Sequence, residues 1–281
     1  MLGAIAGDVI GSVYERNNVK TKSFPLFDAA SRFTDDTVLT VALAHCLLSG
    51  DAVGAVMRDF HGRYPQAGFG PTFLAWVNAG EGASAPRSSS NGAAMRISPA
   101  AWAFDTLDEV LAAAERFTVV THDHPDGVKG AQAVAAAVFL ARQGATKADI
   151  RRHVEAAFGY DLAVPLDRVR PAYAFDLSCA GTVPHAIRAF LEAEDFEDAL
   201  RNAISIGGDS DTLACIAGAV AEAHFGGVPP HIAVPVWQAL DPSLREVTQR
   251  FCDRHGIKVA VDPAAPACEH VETPPARSSR R

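Results

Sequence analysis

The stretch Gly207-Gly208-Asp209-Ser210-Asp211-Thr212 runs directly into an apolar, alanine-rich segment, Leu213–Phe225. A near copy, Thr34-Asp35-Asp36-Thr37, runs into Val38–Leu48. Asp and Thr before such a segment read as helix N-caps, because their oxygens accept the free N–H groups of the first turn. Capping accounts for one side-chain oxygen per helix start. It does not account for two carboxylates and a hydroxyl at both. Brought together, the clusters would set four carboxylates against one another, and cations between them would relieve the repulsion. Mg²⁺ and Mn²⁺ take hard oxygen ligands of this kind. The expectation is a two-metal, oxygen-ligand site.

Outward from these turns the apolar spacing is helical throughout, and no alternating strand pattern exceeds a few positions. Residues 2 to 14 read as a helix whose small residues, among them Gly3, Gly7 and Gly11, allow close backbone approach; Asp8 and Glu15 are its acidic positions. Helices are expected over Thr37–Ser49, closed by Gly50, and over Ala52–Tyr64, Pro71–Asn78, Gly92–Ile97 and Asp105–Thr118. Others follow from the alanine-rich run ending near Arg142, then over Lys147–Phe158, Thr182–Leu191, Phe196–Ile204, Thr212–Phe225, Pro229–Leu240 and Pro242–His255. Asp161 to Leu177, with Pro165 and Pro171, is the least regular part. The fold class is all-α. Residues 1–261 are expected to form one domain, and residues 262–281, rich in Pro, Ala, Ser and Arg, a disordered tail.

The composition narrows the function. A net charge of −8 without a basic stripe argues against a nucleic-acid surface. The five cysteines (46, 179, 215, 252 and 268) include no CxxC pair and read as reduced thiols. The apolar N-terminus lacks a basic region and is broken by Asp8, so it does not read as a signal peptide. No apolar run reaches membrane-spanning length, and a cytoplasmic monomer is expected.

Two further segments carry chemistry. Arg87-Ser88-Ser89-Ser90-Asn91-Gly92 opens into a helix, an arrangement that can present N–H groups and hydroxyls to phosphates. His122 and His124 lack partners at zinc-type spacing, so a zinc site is not expected, although either could touch a ligand. Glu15, where the first helix gives out, is either a solvated partner of Arg16 or a carboxylate aimed into a cavity.

Six motifs occur in order: Gly3-Ala-Ile-Ala-Gly-Asp-Val-Ile-Gly-Ser with Glu15; Phe33-Thr-Asp-Asp-Thr37; Ser90-Asn-Gly-Ala-Ala-Met-Arg96; Thr121-His122; Gly181-Thr-Val-Pro184; and Gly207-Gly-Asp-Ser-Asp-Thr212. Residues 2 to about 255 thereby resemble the ADP-ribosylglycohydrolase family. That family includes the dinitrogenase reductase-activating glycohydrolase and the animal ADP-ribosyl-serine and ADP-ribosyl-arginine hydrolases. The resemblance implies an all-α domain with two Mg²⁺ or Mn²⁺ ions in a cleft. It implies Thr34, Asp35, Asp36, Asp209, Asp211 and Thr212 as metal ligands, and Glu15, the acidic residue beside the metals, as a further one. It implies Arg87, Ser88, Ser89, Ser90, Asn91, Gly92, His122 and Leu177, with Asp35, along the ADP-ribose pocket. The triple serine departs from the Gly/Tyr-containing form of that loop.

The chemistry then expected is hydrolysis of the ribose C1 bond in ADP-ribose conjugates, of a protein side chain or another acceptor. Glu15, Asp36 and Asp209 would be the catalytic residues. An oxocarbenium-like transition state needs a stabilising charge and an aimed water, which metals and a carboxylate base supply. The alternatives are a non-catalytic ADP-ribose-binding member of the fold and, with less support, a Mg-dependent phosphohydrolase. The latter would need a different DxDx[TV] frame from that of Asp209–Thr212.

Overall fold

The structure, a computed structural model, describes residues 1–261. Its helices in chain order are α1 (Leu2–Gly11), α2 (Asp35–Ser49), α3 (Val53–Arg63), α4 (Pro71–Asn78), α5 (Gly92–Met95), α6 (Ala100–Ala103), α7 (Leu107–Thr118) and α8 (Pro125–Arg142). They continue with α9 (Lys147–Phe158), α10 (Leu166–Val169), α11 (Cys179–Glu192), α12 (Phe196–Ser205), α13 (Ser210–Phe225), α14 (Pro230–Ala239) and α15 (Pro242–His255). No strand occurs among the described residues; one isolated bridge joins Ser90 to Ser178. The all-α reading holds. The tail expected from residue 262, with Cys268, lies outside the described residues.

Two helices form the centre. Every residue of α1 is buried, as is α13 from Ser210 to Ala223. They cross at backbone distance because their facing positions are small. A Cβ on Gly3 would stand 2.3 Å from the Gly218 carbonyl oxygen, one on Gly7 2.0 Å from that of Ala214, and one on Gly11 2.5 Å from Asp211 Cα. None of these distances admits a methyl group, so glycine is required at all three. The glycine spacing in α1 thereby fixes the height at which Asp8 meets Asp211.

Several helix ends differ from the sequence expectation, each for a local reason. α1 stops at Gly11 rather than at residue 14. The Ser12 hydroxyl donates to the Val9 carbonyl at 3.0 Å and accepts the Arg32 N–H at 3.2 Å, which turns the chain outward. α2 begins two residues earlier than expected, at Asp35, because Thr34 is its N-cap and accepts the Asp36 N–H at 3.3 Å. α11 begins at Cys179 rather than Thr182; Ser178 caps it by accepting the Gly181 N–H at 3.0 Å. The short α6 had no expectation. Gly50 closes α2 in the left-handed region, at φ 79°, which glycine adopts without penalty. Cys46, Cys179, Cys215 and Cys252 are free and buried.

Candidate active site

The two acidic turns converge. Thr34, Asp35 and Asp36 at the head of α2, and Asp209, Asp211 and Thr212 at the head of α13, line one cavity of about 310 Å³. Oxygens of Asp8, Asp36 and Asp211 lie within 4.8 Å of one another, and all three residues are buried. Segments more than 170 positions apart in sequence meet because α1 packs against both helices and carries Asp8 to their junction.

Asp8 was noted in the sequence as an acidic position but given no role in the site. It organises the first turn. Its Oδ1 accepts the Thr34 hydroxyl at 2.6 Å, and its Oδ2 accepts the Thr34 N–H at 2.8 Å, the Thr37 N–H at 3.1 Å and the Thr37 hydroxyl. With its acceptor capacity largely taken by these four donors, Asp8 acts as a support. The signal for it was available: a carboxylate on a helix of otherwise small and apolar residues must be buried with partners.

Asp36 is placed differently. Its Oδ1 is buried and has no hydrogen-bond partner, while Oδ2 stands 3.5 Å from the Thr34 hydroxyl. Asp209 does not cap α13 with its side chain; it accepts the Asn91 amide N–H at 2.6 Å, and Asn91 also donates to the Thr182 hydroxyl at 3.0 Å. Asp211 Oδ1 accepts the Thr212 N–H at 3.0 Å. Among the described residues, no basic side chain forms an ion pair with Asp8, Asp36, Asp209 or Asp211.

The electrostatics follow from that crowding. Burial first, then the charges of Asp8, Asp35 and Asp209, push Asp36 well above the usual carboxylate range. Asp211 is pushed up by burial and by Asp209 and Asp36. Asp35, whose backbone N–H is fixed to the Ala67 carbonyl at 2.8 Å, is raised to about 7 by burial and by Asp8. Glu15 is raised by burial and by Asp209, against the charges of Arg16 and Arg32. Without a cation these carboxyls therefore compete to stay protonated. A buried unpartnered oxygen, a convergent set of hard donors and no neutralising base together fit divalent metal binding.

The opposite wall is built from the serine loop and the residues around His122. Ser90, Asn91 and Gly92 line the cavity. Arg87 is exposed and Ser88 and Ser89 are half-buried, and none of the three lines the cavity. The loop is pinned to the chain after Asp176: the Asn91 N–H donates to the Leu177 carbonyl at 2.7 Å, and the Cys179 N–H donates to that of Ser89 at 2.9 Å. Leu177 lies at the cavity mouth beside Phe175, and each side chain is about half exposed (50% and 51%).

His122 lines the cavity; His124 instead caps α8 by accepting the Asp126 N–H at 3.1 Å. Behind His122 stands a chain of polar contacts not foreseen from the sequence. Arg96, 1% exposed, donates to the Thr121 hydroxyl at 2.5 Å. That hydroxyl lies 2.8 Å from His122 Nδ1, and Nε2 lies 3.0 Å from the Ser90 hydroxyl. Arg96 takes one lone pair of Thr121, and the His122 ring bridges the Thr121 and Ser90 hydroxyls through its two nitrogens, one donating and the other accepting. Burial and the Arg96 charge push His122 down to about 3, so the ring is neutral. Gly92 makes room for it, since a Cβ there would stand 3.3 Å from Nε2. A buried arginine at the end of Ser90–Arg96 and the Thr121-His122 pair were the available signals.

A sequence model of the ADP-ribosylglycohydrolase family matches residues 1–260. The chain is 27% identical to the ADP-ribosylhydrolase ARH3 of Mus musculus, over 80% of this chain and 82% of that protein. It is 25% identical to the ADP-ribosylarginine hydrolase Tri1 of Pseudomonas putida, over 90% of this chain and 77% of that protein. A solved structure described as an ADP-ribosylglycohydrolase-related protein complex superposes with a TM-score of 0.68 at 24% identity, covering 91% of this chain and 96% of that one. That last likeness concerns the fold.

Proposed function

The chain belongs to the ADP-ribosylglycohydrolase family, and from that premise we propose that it hydrolyses the C1 glycosidic bond of ADP-ribose conjugates with two divalent cations at the junction of α2 and α13. The observation that carries the reading is Asp36, a buried carboxylate with one unpartnered oxygen, in a residue clustered with Asp8 and Asp211. Thr34, Asp35, Asp36, Asp209, Asp211 and Thr212 would hold the ions, with Glu15 beside them. Two bound Mg²⁺ or Mn²⁺ ions supply a grip on ribose hydroxyls and a water of lowered pKa.

The chain's own residues do the rest. Glu15, raised by burial and by Asp209, is poised to take a proton from water attacking C1 and to return it to the leaving atom of the acceptor. Asn91 holds the Asp209 carboxylate through its amide, which fixes the α13 turn against the serine loop. Ser90, Asn91 and Gly92 line the space where the diphosphate would lie. His122, neutral, has its ring orientation set by the Thr121 and Ser90 hydroxyls, one at each nitrogen. Asp8 holds Thr34 by accepting its hydroxyl proton, so a lone pair of Thr34 is left for a cation.

The test is release of free ADP-ribose from defined serine-, arginine- and carboxylate-linked conjugates, with Mg²⁺ or Mn²⁺ and with chelator. Turnover of at least one conjugate that stops with chelator and returns with metal supports the reading. Turnover indifferent to chelator, or none across the panel, refutes it.

A further inference from the structure

Glu15 stands past the end of α1, beyond the glycine crossing that fixes α1 against α13. That crossing therefore does not set where its carboxylate lies relative to Asp209, which lines the same cavity from the head of α13. The turn leading into α13 is loose by composition. Gly207 and Gly208 both lie in the left-handed region, at φ 74° and 73°, and glycine has the most backbone freedom to lose. Asp209 does not steady this turn, because its side chain makes no capping bond.

The Asn18 side chain joins the two turns. Its Oδ1 accepts the Gly208 N–H at 2.7 Å, and its Nδ2 donates to the Gly208 carbonyl at 3.0 Å. Both backbone polar groups of the residue before Asp209 are thus held from 190 positions away in sequence. The same Nδ2 donates to the Tyr14 carbonyl at 2.7 Å and to the Glu15 carbonyl at 2.8 Å. A terminal amide suits this place because it offers donors and an acceptor side by side, whereas a carboxylate offers no donor. Lys20 adds to the clamp by donating to the Ile206 and Tyr173 carbonyls. On the far side Tyr173 hems the turn in, since a Cβ on Gly208 would stand 2.6 Å from its Cε1. Asn17 is different: among the described residues its amide donates to the Val13 carbonyl at 3.2 Å and to nothing across the turns. Asn18 is exposed, so each of its bonds adds only about 0.5–1.5 kcal/mol to stability. Their consequence is geometric.

We propose that Asn18 is a positioning residue, which holds the Glu15 turn in register with the Gly207-Gly208 turn and so keeps the Glu15 carboxylate aimed into the cavity beside Asp209. The inference rests on the proposed function for the part Glu15 plays, and the experiment separates the two.

Three variants are compared with Mg²⁺ present: Asn18→Ala, the neighbouring control Asn17→Ala, and Asn18→Ala combined with Glu15→Gln. In Asn18→Ala, kcat for ADP-ribose release falls about 10–100-fold, the scale of a misplaced reacting group. KM and the Kd of free ADP-ribose stay within about twofold, because the serine-loop wall is untouched. Asn17→Ala changes kcat by less than about twofold, having no bond to the α13 turn. In the Glu15→Gln background, Asn18→Ala costs less than about twofold more, since two residues acting through one group are not additive. A crystal of Asn18→Ala reads the geometry without chemistry: Asp209 keeps its bond to Asn91, and the Glu15 carboxylate moves by about 1 Å or more. Wild-type kcat in Asn18→Ala overturns the inference, as does an equal fall in Asn17→Ala. Full additivity with Glu15→Gln, or a Glu15 carboxylate unmoved in the crystal, overturns it too. A wild type that releases no ADP-ribose from any conjugate counts against the proposed function, and the crystal still decides the clamp.

Discussion

Asp8 Oδ1 accepts the Thr34 hydroxyl at 2.6 Å, tying the middle of α1 to the N-cap of α2 across 26 positions of sequence. Through this contact a residue buried in the central helix crossing controls the geometry of a residue at the cavity. Asp8→Asn keeps the shape but sets an amide N–H₂ among four donors. The predicted effect is a loss of Mg²⁺ affinity of about 10–100-fold, the scale of lost ligand support. Because the change also removes one charge from a repelling cluster, the metal-free protein loses little stability. Thermal melts with and without Mg²⁺ check this: the metal-induced rise in Tm shrinks, chiefly through the loaded state.

The same crowding sets the pH dependence of the metal-free protein. Asp35 titrates at about 7 when folded and near 3.8 when unfolded. Between these values the folded state binds more protons, so stability falls as pH rises. Chelated protein is therefore predicted to unfold at lower urea at pH 8 than at pH 5. Added Mg²⁺ reverses the trend, because binding gains as the carboxyls deprotonate. A chelated protein equally stable at both values would contradict the assigned crowding.

Thr121→Val removes the hydroxyl partner of His122 Nδ1 and leaves that nitrogen buried and unsatisfied, at a cost of about 1–3 kcal/mol. ¹⁵N NMR of the ring distinguishes this from simple loosening. The wild type shows neutral His122 in a single tautomer from pH 5 to 8, and the variant shows a mixture of tautomers. ADP-ribose affinity is predicted to fall about tenfold, the loss of one well-placed hydrogen bond.

The helix crossing gives a prediction about folding. Gly7→Ala places a methyl group 2.0 Å from the Ala214 carbonyl oxygen, which only separation of α1 from α13 relieves. Destabilisation at or above about 3 kcal/mol is expected, the upper range for overpacking. Gly62→Ala, on a surface where nothing lies within 4 Å, should change urea stability little and serves as the paired control, its helix gaining propensity.

Much of this was legible in the sequence. The paired Asp/Thr turns announce themselves because a cap needs one oxygen and these hold three, and the structure brings both to one cavity. Helices such as Lys147–Phe158 and Pro242–His255 match their expected bounds because capping residues and a terminal glycine mark both ends. The end of α1 was missed because a serine that bonds back to Val9 looks, in sequence, like one more small helical residue. Asp8, Arg96 and Thr121 sat inside recognised motifs without assigned parts, since their contacts lie 25 to 29 positions away. That Ser90, Asn91 and Gly92 rather than Arg87, Ser88 and Ser89 line the cavity was not readable, because the loop is pinned through Ser89 and Asn91 to Cys179 and Leu177, contacts that no local spacing encodes.

Glu15→Gln separates binding from chemistry. ADP-ribose affinity should stay within about threefold, while turnover falls by about 10²–10⁴, the range for loss of a general base. Wild-type turnover in this variant would remove Glu15 from the proton path.

The most direct test of the account is a crystal grown with Mn²⁺ and ADP-ribose, with anomalous scattering measured at the manganese edge. Two peaks are predicted between the heads of α2 and α13, within coordination distance of Asp36, Asp209 and Asp211, one of them taken by the unpartnered Asp36 oxygen. No peak there, or manganese bound elsewhere while ADP-ribose fills the cavity, would contradict it.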